Sequence, residues 1–306
     1  MDRLDIGFDW EGIRLAGTLH LPDGPGPDPV VIMLQGSGPS DRDGDGYFIP
    51  IRDAFLEAGV AVYSFDKPGC GESTGNWKDY ALYERADQAS AARGVVQARP
   101  EADTDLVGFW GQSQGGWLVQ ILAARHDDLP FAISNSGPSI GVQSQDLYAV
   151  EHMMRADGCS EPDISATLEF VRAAHAAALE ERSFDEVFVE LVEPASTHPW
   201  HRYVSGAGED DWGLMRRFVT EAYDPLDAVR KIGVPYLAIY GGRDVLLPAW
   251  ESARDVGLAL EGAPTTDSTV VVFPTGDHRI HDVDMDGFAH GYLELLRDWL
   301  GVRVSR

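Results

Sequence analysis

The stretch Leu106-Val107-Gly108-Phe109-Trp110-Gly111-Gln112-Ser113-Gln114-Gly115-Gly116-Trp117-Leu118-Val119 sets the reading of the whole chain. Residues 106–110 form a short apolar run of the kind that suits a strand buried on both faces. A serine flanked by glycines follows, and a helix is expected over 115–124. A serine at such a strand-to-helix junction sits on a tight turn, where side chains at 111 and 115 would collide with the backbone. The N-terminus of the following helix favours negative charge developing beside it. A glycine-x-serine-x-glycine alone arises by chance in roughly one chain of this size in ten. The strand before it and the helix after it give it weight.

Working outward, further apolar runs occur at 30–34, 61–65, 131–133, 236–240 and 270–273. Each is followed within two residues by Gly, Asp, Ser or Pro, as expected where a buried strand opens into a loop. Helices are expected between them at 51–58, 80–98, 249–260 and 288–300. This alternation predicts right-handed βαβ crossovers and a doubly wound α/β sheet. Before it, 4–9 and 14–21 alternate apolar and polar residues and read as one antiparallel hairpin, half buried. The Pro/Gly-rich stretch 22–29 is a turn. From about Gln143 to Tyr223 the rhythm fails: no strand is evident, 164–181 is helical, and a polar stretch carries Pro194, Pro199 and Gly206. An insertion this long is expected to cover one edge of the sheet.

A nucleophilic serine needs a base, and the base an orienting carboxylate. Asp244 lies just past the run at 236–240, in Gly241-Gly242-Arg243-Asp244, and His278 follows the run at 270–273, in Pro274-Thr275-Gly276-Asp277-His278. All three candidates sit after strands, at the edge where open α/β sheets gather their functional groups.

At this point the chain resembles the α/β-hydrolase superfamily. The matching segments are Gln35-Gly36-Ser37-Gly38, Asp66-Lys67-Pro68-Gly69-Cys70-Gly71-Glu72-Ser73, the Ser113 turn, Val234-Pro235 leading to Asp244, and the His278 loop. The phrase 36–43 is similar to a bacterial serine carboxylesterase-like branch with a helical cap. The resemblance implies an α/β-hydrolase fold with a mostly parallel eight-stranded sheet, an N-terminal β-hairpin, a core of residues 1–142 and 224–306, and a helical cap at 143–223. It implies a Ser113–Asp244–His278 triad cleaving carboxylic esters through an acyl-enzyme, with an oxyanion hole from the backbone N–H groups of Gln114 and Ser37 and with no cofactor. Thioester, lactone or peptide hydrolysis and acyl transfer remain alternatives on the same residues. So do a cofactor-free C–C hydrolase or lyase and a binding protein on an inactive scaffold. Family members often carry His where Gln35 stands; a glutamine can also hydrogen-bond and brace the loop.

Competing residues read more plainly. His281 is the nearest rival base, but the family loop favours His278. His152, His175, His198 and His201 read as surface or packing groups. His198 and His201, with Trp200 between them, are the candidates for a pocket wall, and they form a poor zinc pattern. Asp277 is too close in sequence to orient the imidazole beside it. Asp41-Arg42-Asp43-Gly44-Asp45-Gly46 and Asp282-Val283-Asp284-Met285-Asp286-Gly287 mimic calcium loops but place Arg52 and Leu293 where the bidentate Glu belongs, so no metal is expected. Asp41, Asp43 and Asp45 could shape the active-site mouth. Of the cap residues, Tyr148, Met153, Met154, Trp200, Tyr203, Trp212 and Met215 read as the cap's own core or as pocket wall.

Composition bounds the rest. The 306 residues carry 24 Lys and Arg against 50 Asp and Glu, a net charge of −26. Nucleic acid and anionic membranes are disfavoured partners. A small, neutral or apolar ester is the expected substrate, with anionic substrates disfavoured. A homodimer through the cap stays open. Two cysteines, Cys70 and Cys159, do not make a disulfide framework. With no basic-then-apolar leader and no long apolar run, a cytoplasmic protein is the default expectation.

Overall fold

Alternate residues of the apolar runs face opposite sides of one sheet. Val30, Ile32 and Leu34 enter one hydrophobic cluster while Val31 and Met33 enter the other. Tyr236, Ala238 and Tyr240 part from Leu237 and Ile239 in the same way. This is the period of two that a strand buried on both faces must show. The computed structural model describes residues 2–204 and 208–305; Met1, Ser205, Gly206, Ala207 and Arg306 lie outside the described residues.

The chain begins with β1 (Arg3–Asp5), β2 (Phe8–Trp10), β3 (Ile13–Leu15) and β4 (Gly17–His20). The alternation follows: β5 (Asp28–Leu34), α1 (Phe48–Glu57), β6 (Ala61–Phe65), α2 (Leu82–Gln97), β7 (Ala102–Gln112), α3 (Gln114–Arg125) and β8 (Ala132–Asn135). Then come helices: α4 (Val142–Ala156), α5 (Glu161–Leu179), α6 (Phe184–Val187), a π-helical turn at Phe188–Val192, α7 (Glu193–Ala195), a turn at Pro199–Tyr203, α8 (Glu209–Thr220) and α9 (Pro225–Val229). Finally β9 (Tyr236–Gly241), α10 (Ala249–Glu261), β10 (Ser268–Phe273) and α11 (Tyr292–Val304) return to the sheet.

Eight strands form one sheet in the order β1-β4-β6-β5-β7-β8-β9-β10. From β6 to β10 every pair is parallel, and β4 joins β6 antiparallel. The chain moves outward from β5 to β6, then crosses back to β7 on the other side of β5. The loops leaving β5 and β7 therefore diverge at a topological switch point, where such sheets bind ligands. Helices α2, α3, α9 and α10 cover one face, and α1 and α11 the other.

Three elements depart from the expectation. The hairpin divides: β1 pairs with β4 in the main sheet, while β2 and β3 form a separate two-stranded sheet. At the division, Ala16 bonds instead to the loop after β6, its N–H donating to Ser73 Oγ and its carbonyl accepting from Asp66. The edge strand β10 is only half-buried. Helix α11 starts at Tyr292 rather than 288, because Phe288 bridges to His281 and Ala289 donates to the carbonyl of Ile280.

The helices between β8 and β9 carry two small hydrophobic clusters of their own. One holds Ala178, Val187, Trp212 and Val219; the other holds Val150, Met154, Ile164, Val171 and Trp200. Tyr223 and α9 already pack into the sheet's core. Among the described residues no helix is long and apolar enough to cross a membrane.

Packing is tight around the serine turn. A Cβ added at Gly111 would stand 2.2 Å from the carbonyl oxygen of Gly115, whereas one added at Gly94, exposed on α2, meets nothing within 4 Å. Gly111→Ala is expected to cost about 1–3 kcal/mol in urea unfolding, because backbone must yield. Gly94→Ala is expected to be neutral or to stabilise by about 0.5–1 kcal/mol, because it removes a mid-helix glycine.

Candidate active site

Ser113 sits between β7 and α3 with φ 58° and ψ −116°, a conformation few non-glycine residues adopt. Such strain costs on the order of 1–3 kcal/mol and persists only where the surroundings enforce it. Here the Ser113 N–H donates to the carbonyl of Asn135 at 2.8 Å, and its own carbonyl accepts from Gly116.

Asp244 and His278 leave the ends of β9 and β10. His278 Nδ1 lies 2.6 Å from Asp244 Oδ2. The carboxylate is fully shielded and its Oδ1 accepts from the backbone N–H groups of Leu246 and Leu247 at 2.7 and 3.2 Å. An ionised carboxylate only accepts, so Nδ1 carries the proton and Nε2 is the basic nitrogen. The two loops touch: a Cβ at Gly241 would be 1.9 Å from the carbonyl oxygen of Asp277. Asp277 spends its carboxylate on the N–H groups of Arg279 and His281. His281 packs its ring against Tyr47 and Phe288. Neither neighbour takes part in the Asp244–His278 pair.

The loop after β5 runs against the serine. A Cβ at Gly36 would lie 3.3 Å from Ser113 Cβ. Gln35 braces this loop as expected, its Nε2 donating to the carbonyls of Phe65 at 2.6 Å and Asp41 at 3.0 Å. A second brace comes from the Asp66–Ser73 motif. Lys67, 3% exposed, donates Nζ to the carbonyls of Gly36 and Gly38, one on each side of Ser37. Burial pushes the Lys67 ammonium well below the usual lysine range, and nearby Arg85 adds to the push. Arg85, also buried, donates to Gln114 Oε1, and burial brings it down to about 10. Asp66 takes a forked bond from Arg42 and the N–H of Glu72. Burial would raise the Asp66 carboxyl, but these donors outweigh it and hold the group below the usual carboxylate range. As the first residue of α3, Gln114 has a backbone N–H with no intrahelical partner.

Ser37, Ser113, Gln114 and His278 line one cavity of about 710 Å³; Asp244 stands behind His278. The opposite wall comes from the helical segment, with Asp146, His175, Met215 and Phe218. Of the three aspartates near the mouth, Asp45 lines the cavity; Asp41 caps its own turn and Asp43 pairs with Arg52. Among the aromatic and Met residues expected in the cap, Met215 reaches the cavity, while Met154, Trp200 and Trp212 are buried in the segment's own clusters. His198 stacks on Trp200 away from the cavity, and His152 on Tyr148. The sequence reading missed His175, Trp77 and Trp117 as cavity residues. Trp117, four residues after Ser113 on α3, carried a helical-spacing signal; the other two carried none. Both cysteines are free and partly buried. Among the described residues no group of three or more His, Cys, Asp or Glu is placed to hold a metal ion.

Comparison with known proteins places this geometry in context. A 2,6-dihydropseudooxynicotine hydrolase of Paenarthrobacter nicotinovorans is 29% identical over 172 residues, 56% of this chain and 44% of that protein. A 2-hydroxy-6-oxononadienedioate/2-hydroxy-6-oxononatrienedioate hydrolase of a Pseudomonas species is 29% identical over 119 residues, 38% of each. The chain thus matches less than half the length of these relatives. An esterase of Pyrococcus furiosus shares the fold with a TM-score of 0.67 at 16% identity, over 99% of this chain and 92% of that one. The model of the alpha/beta hydrolase family matches residues 31–290, most of the sheet and all the residues of the site just described, and the chain belongs to that family.

Proposed function

We propose that this protein is a serine hydrolase of carboxylic esters with a neutral or cationic, partly apolar substrate. The observation that carries the reading is the 2.6 Å bond between His278 and buried Asp244 in loops that meet at the cavity of strained Ser113. In this reading His278 Nε2 takes the proton of Ser113 Oγ as it attacks the ester carbonyl. The tetrahedral oxygen is received by the N–H groups of Gln114 and Ser37. The protonated imidazole, steadied by Asp244, returns its proton to the departing alkoxide, leaving an acyl-serine. Water activated by the same nitrogen then releases the acid. No cofactor takes part in this scheme, and residues 143–223 act as a cap that shapes the substrate space.

A second reading, hydrolysis of a C–C bond beside a ketone on the same residues, is favoured by the 2-hydroxy-6-oxo compounds in the name of the Pseudomonas relative. Poor turnover across an ester panel, with serine-dependent cleavage of a 2-hydroxy-6-oxodienoate, decides for it.

Ser113→Ala is expected to lower kcat for p-nitrophenyl butyrate by about 10⁴–10⁶ while the protein stays folded, and to abolish labelling by a fluorophosphonate. Unchanged turnover sinks the assignment. Lys67→Met is expected to lower kcat by about 10²-fold with KM shifted less than about threefold, since it frees the carbonyls that aim Ser37. A stability loss with kcat intact would show that Lys67 serves the fold alone.

A further inference from the structure

Helices α4 and α5 pack through apolar side chains: Val150 and Met154 against Ile164 and Val171. One polar pair interrupts them. His175, 4% exposed, meets Asp146 with Nε2 3.0 Å from Oδ2, and both residues line the cavity that holds Ser113 and His278. A His–carboxylate pair in an apolar interface must be desolvated, and apolar replacements are often neutral or stabilising. Stability alone therefore gives little reason for the pair.

We propose that Asp146, oriented by His175, is a substrate anchor that receives a cationic group, so that preferred substrates carry a protonated or quaternary amine remote from the scissile carbonyl. The proposal rests on the hydrolase reading above and narrows its substrate class.

The carboxylate is one-third exposed, and among the described residues Oδ1 accepts no hydrogen bond. Its place is fixed relative to the proposed catalytic loop. The preceding residue, Gln145, donates Nε2 to the carbonyl of Leu246 at 2.9 Å, and the N–H of Leu246 holds Asp244. Charge in the cavity runs the same way. Asp45, Asp146 and Asp211 line it against one arginine, Arg279. Asp211 is neutralised by Lys78 at 2.6 Å, and Arg279 lies over the Tyr47 ring at 5.2 Å. Among the described residues Asp146 is thus left without a lysine or arginine partner. Trp77, Trp117 and Phe218 also line the cavity, and aromatic faces favour cations.

The test uses two p-nitrophenyl esters of equal chain length, one ending in trimethylammonium and the other in an isosteric tert-butyl group, at about pH 8. Wild-type protein is expected to favour the cationic ester by about tenfold in kcat/KM, and raised salt to shrink the preference. Asp146→Asn should bring the ratio to within about twofold of unity, the cationic ester losing more than the neutral one. No wild-type preference, a preference that survives Asp146→Asn, or an equal loss on both esters overturns the anchor. A second measurement needs neither variant nor turnover: calorimetric titration of wild-type protein with choline and with its neutral isostere 3,3-dimethylbutan-1-ol. Choline should bind at least about fivefold tighter; equal binding overturns the proposal. If neither ester is turned over and a fluorophosphonate leaves Ser113 unlabelled, the hydrolase reading fails, and the titration still judges the anchor.

Discussion

The close approach of backbone to backbone at the carboxyl edge of the sheet is the constraint on which the rest depends. Leu34 pairs with Gly111 at the ends of adjacent parallel strands. The first turn of α3 then presses on both, so that a Cβ at Gly115 would stand 2.3 Å from the carbonyl oxygen of Leu34. This crowding forces Ser113 into its left-handed conformation and turns its side chain out of the sheet. It also brings the loop after β5 beside the serine, because β5 and β7 are neighbours although β6 lies between them in sequence. The same contact recurs at the next pair of loops, where Gly241 gives way to the backbone of Asp277 and so lets Asp244 reach His278.

Around this edge, buried polar groups serve loops that make few backbone bonds of their own. Gln35, Lys67 and Asp66 each pair with backbone groups of these loops. An unmet buried carbonyl or N–H costs on the order of 1–3 kcal/mol. The motif after β6 therefore supports the loop after β5 from behind rather than facing substrate. Lys67 and Arg85 are drawn toward their neutral forms by burial, yet neither has a carboxylate within 4 Å among the described residues. Their bonds run to Gly36, Gly38 and Gln114, the residues that frame the serine.

The helical segment follows different rules. Its two small cores hold it together, Val142 and Phe218 pack against the core of the sheet, and polar bonds tie it on. Glu221 accepts from the first N–H groups of α2, Lys78 pairs with Asp211, and Gln145 reaches the loop after β9. Its inner face lines the cavity, and there the Asp146–His175 pair replaces apolar packing.

The sequence by itself determined the strands, their helical connections and the residues at their ends. A buried strand must be a short apolar run, a crossover helix must follow it, and a turn this tight calls for glycine two residues to either side of Ser113, at 111 and 115. Those demands are local, so the places of Ser113, Asp244 and His278 just past the ends of strands were legible without coordinates. The break in the hairpin was not legible, because Ala16 leaves its partner strand for Ser73 and Asp66, residues fifty or more positions away. Nor could the sequence tell that His175 faces the cavity while His198 and His201 do not. All three lie in a helical segment with similar neighbours, and only the packing of α4 on α5 decides which face looks inward. Periodicity fixes what an element is; which surface it turns toward the serine is settled by long-range contacts that no local pattern encodes.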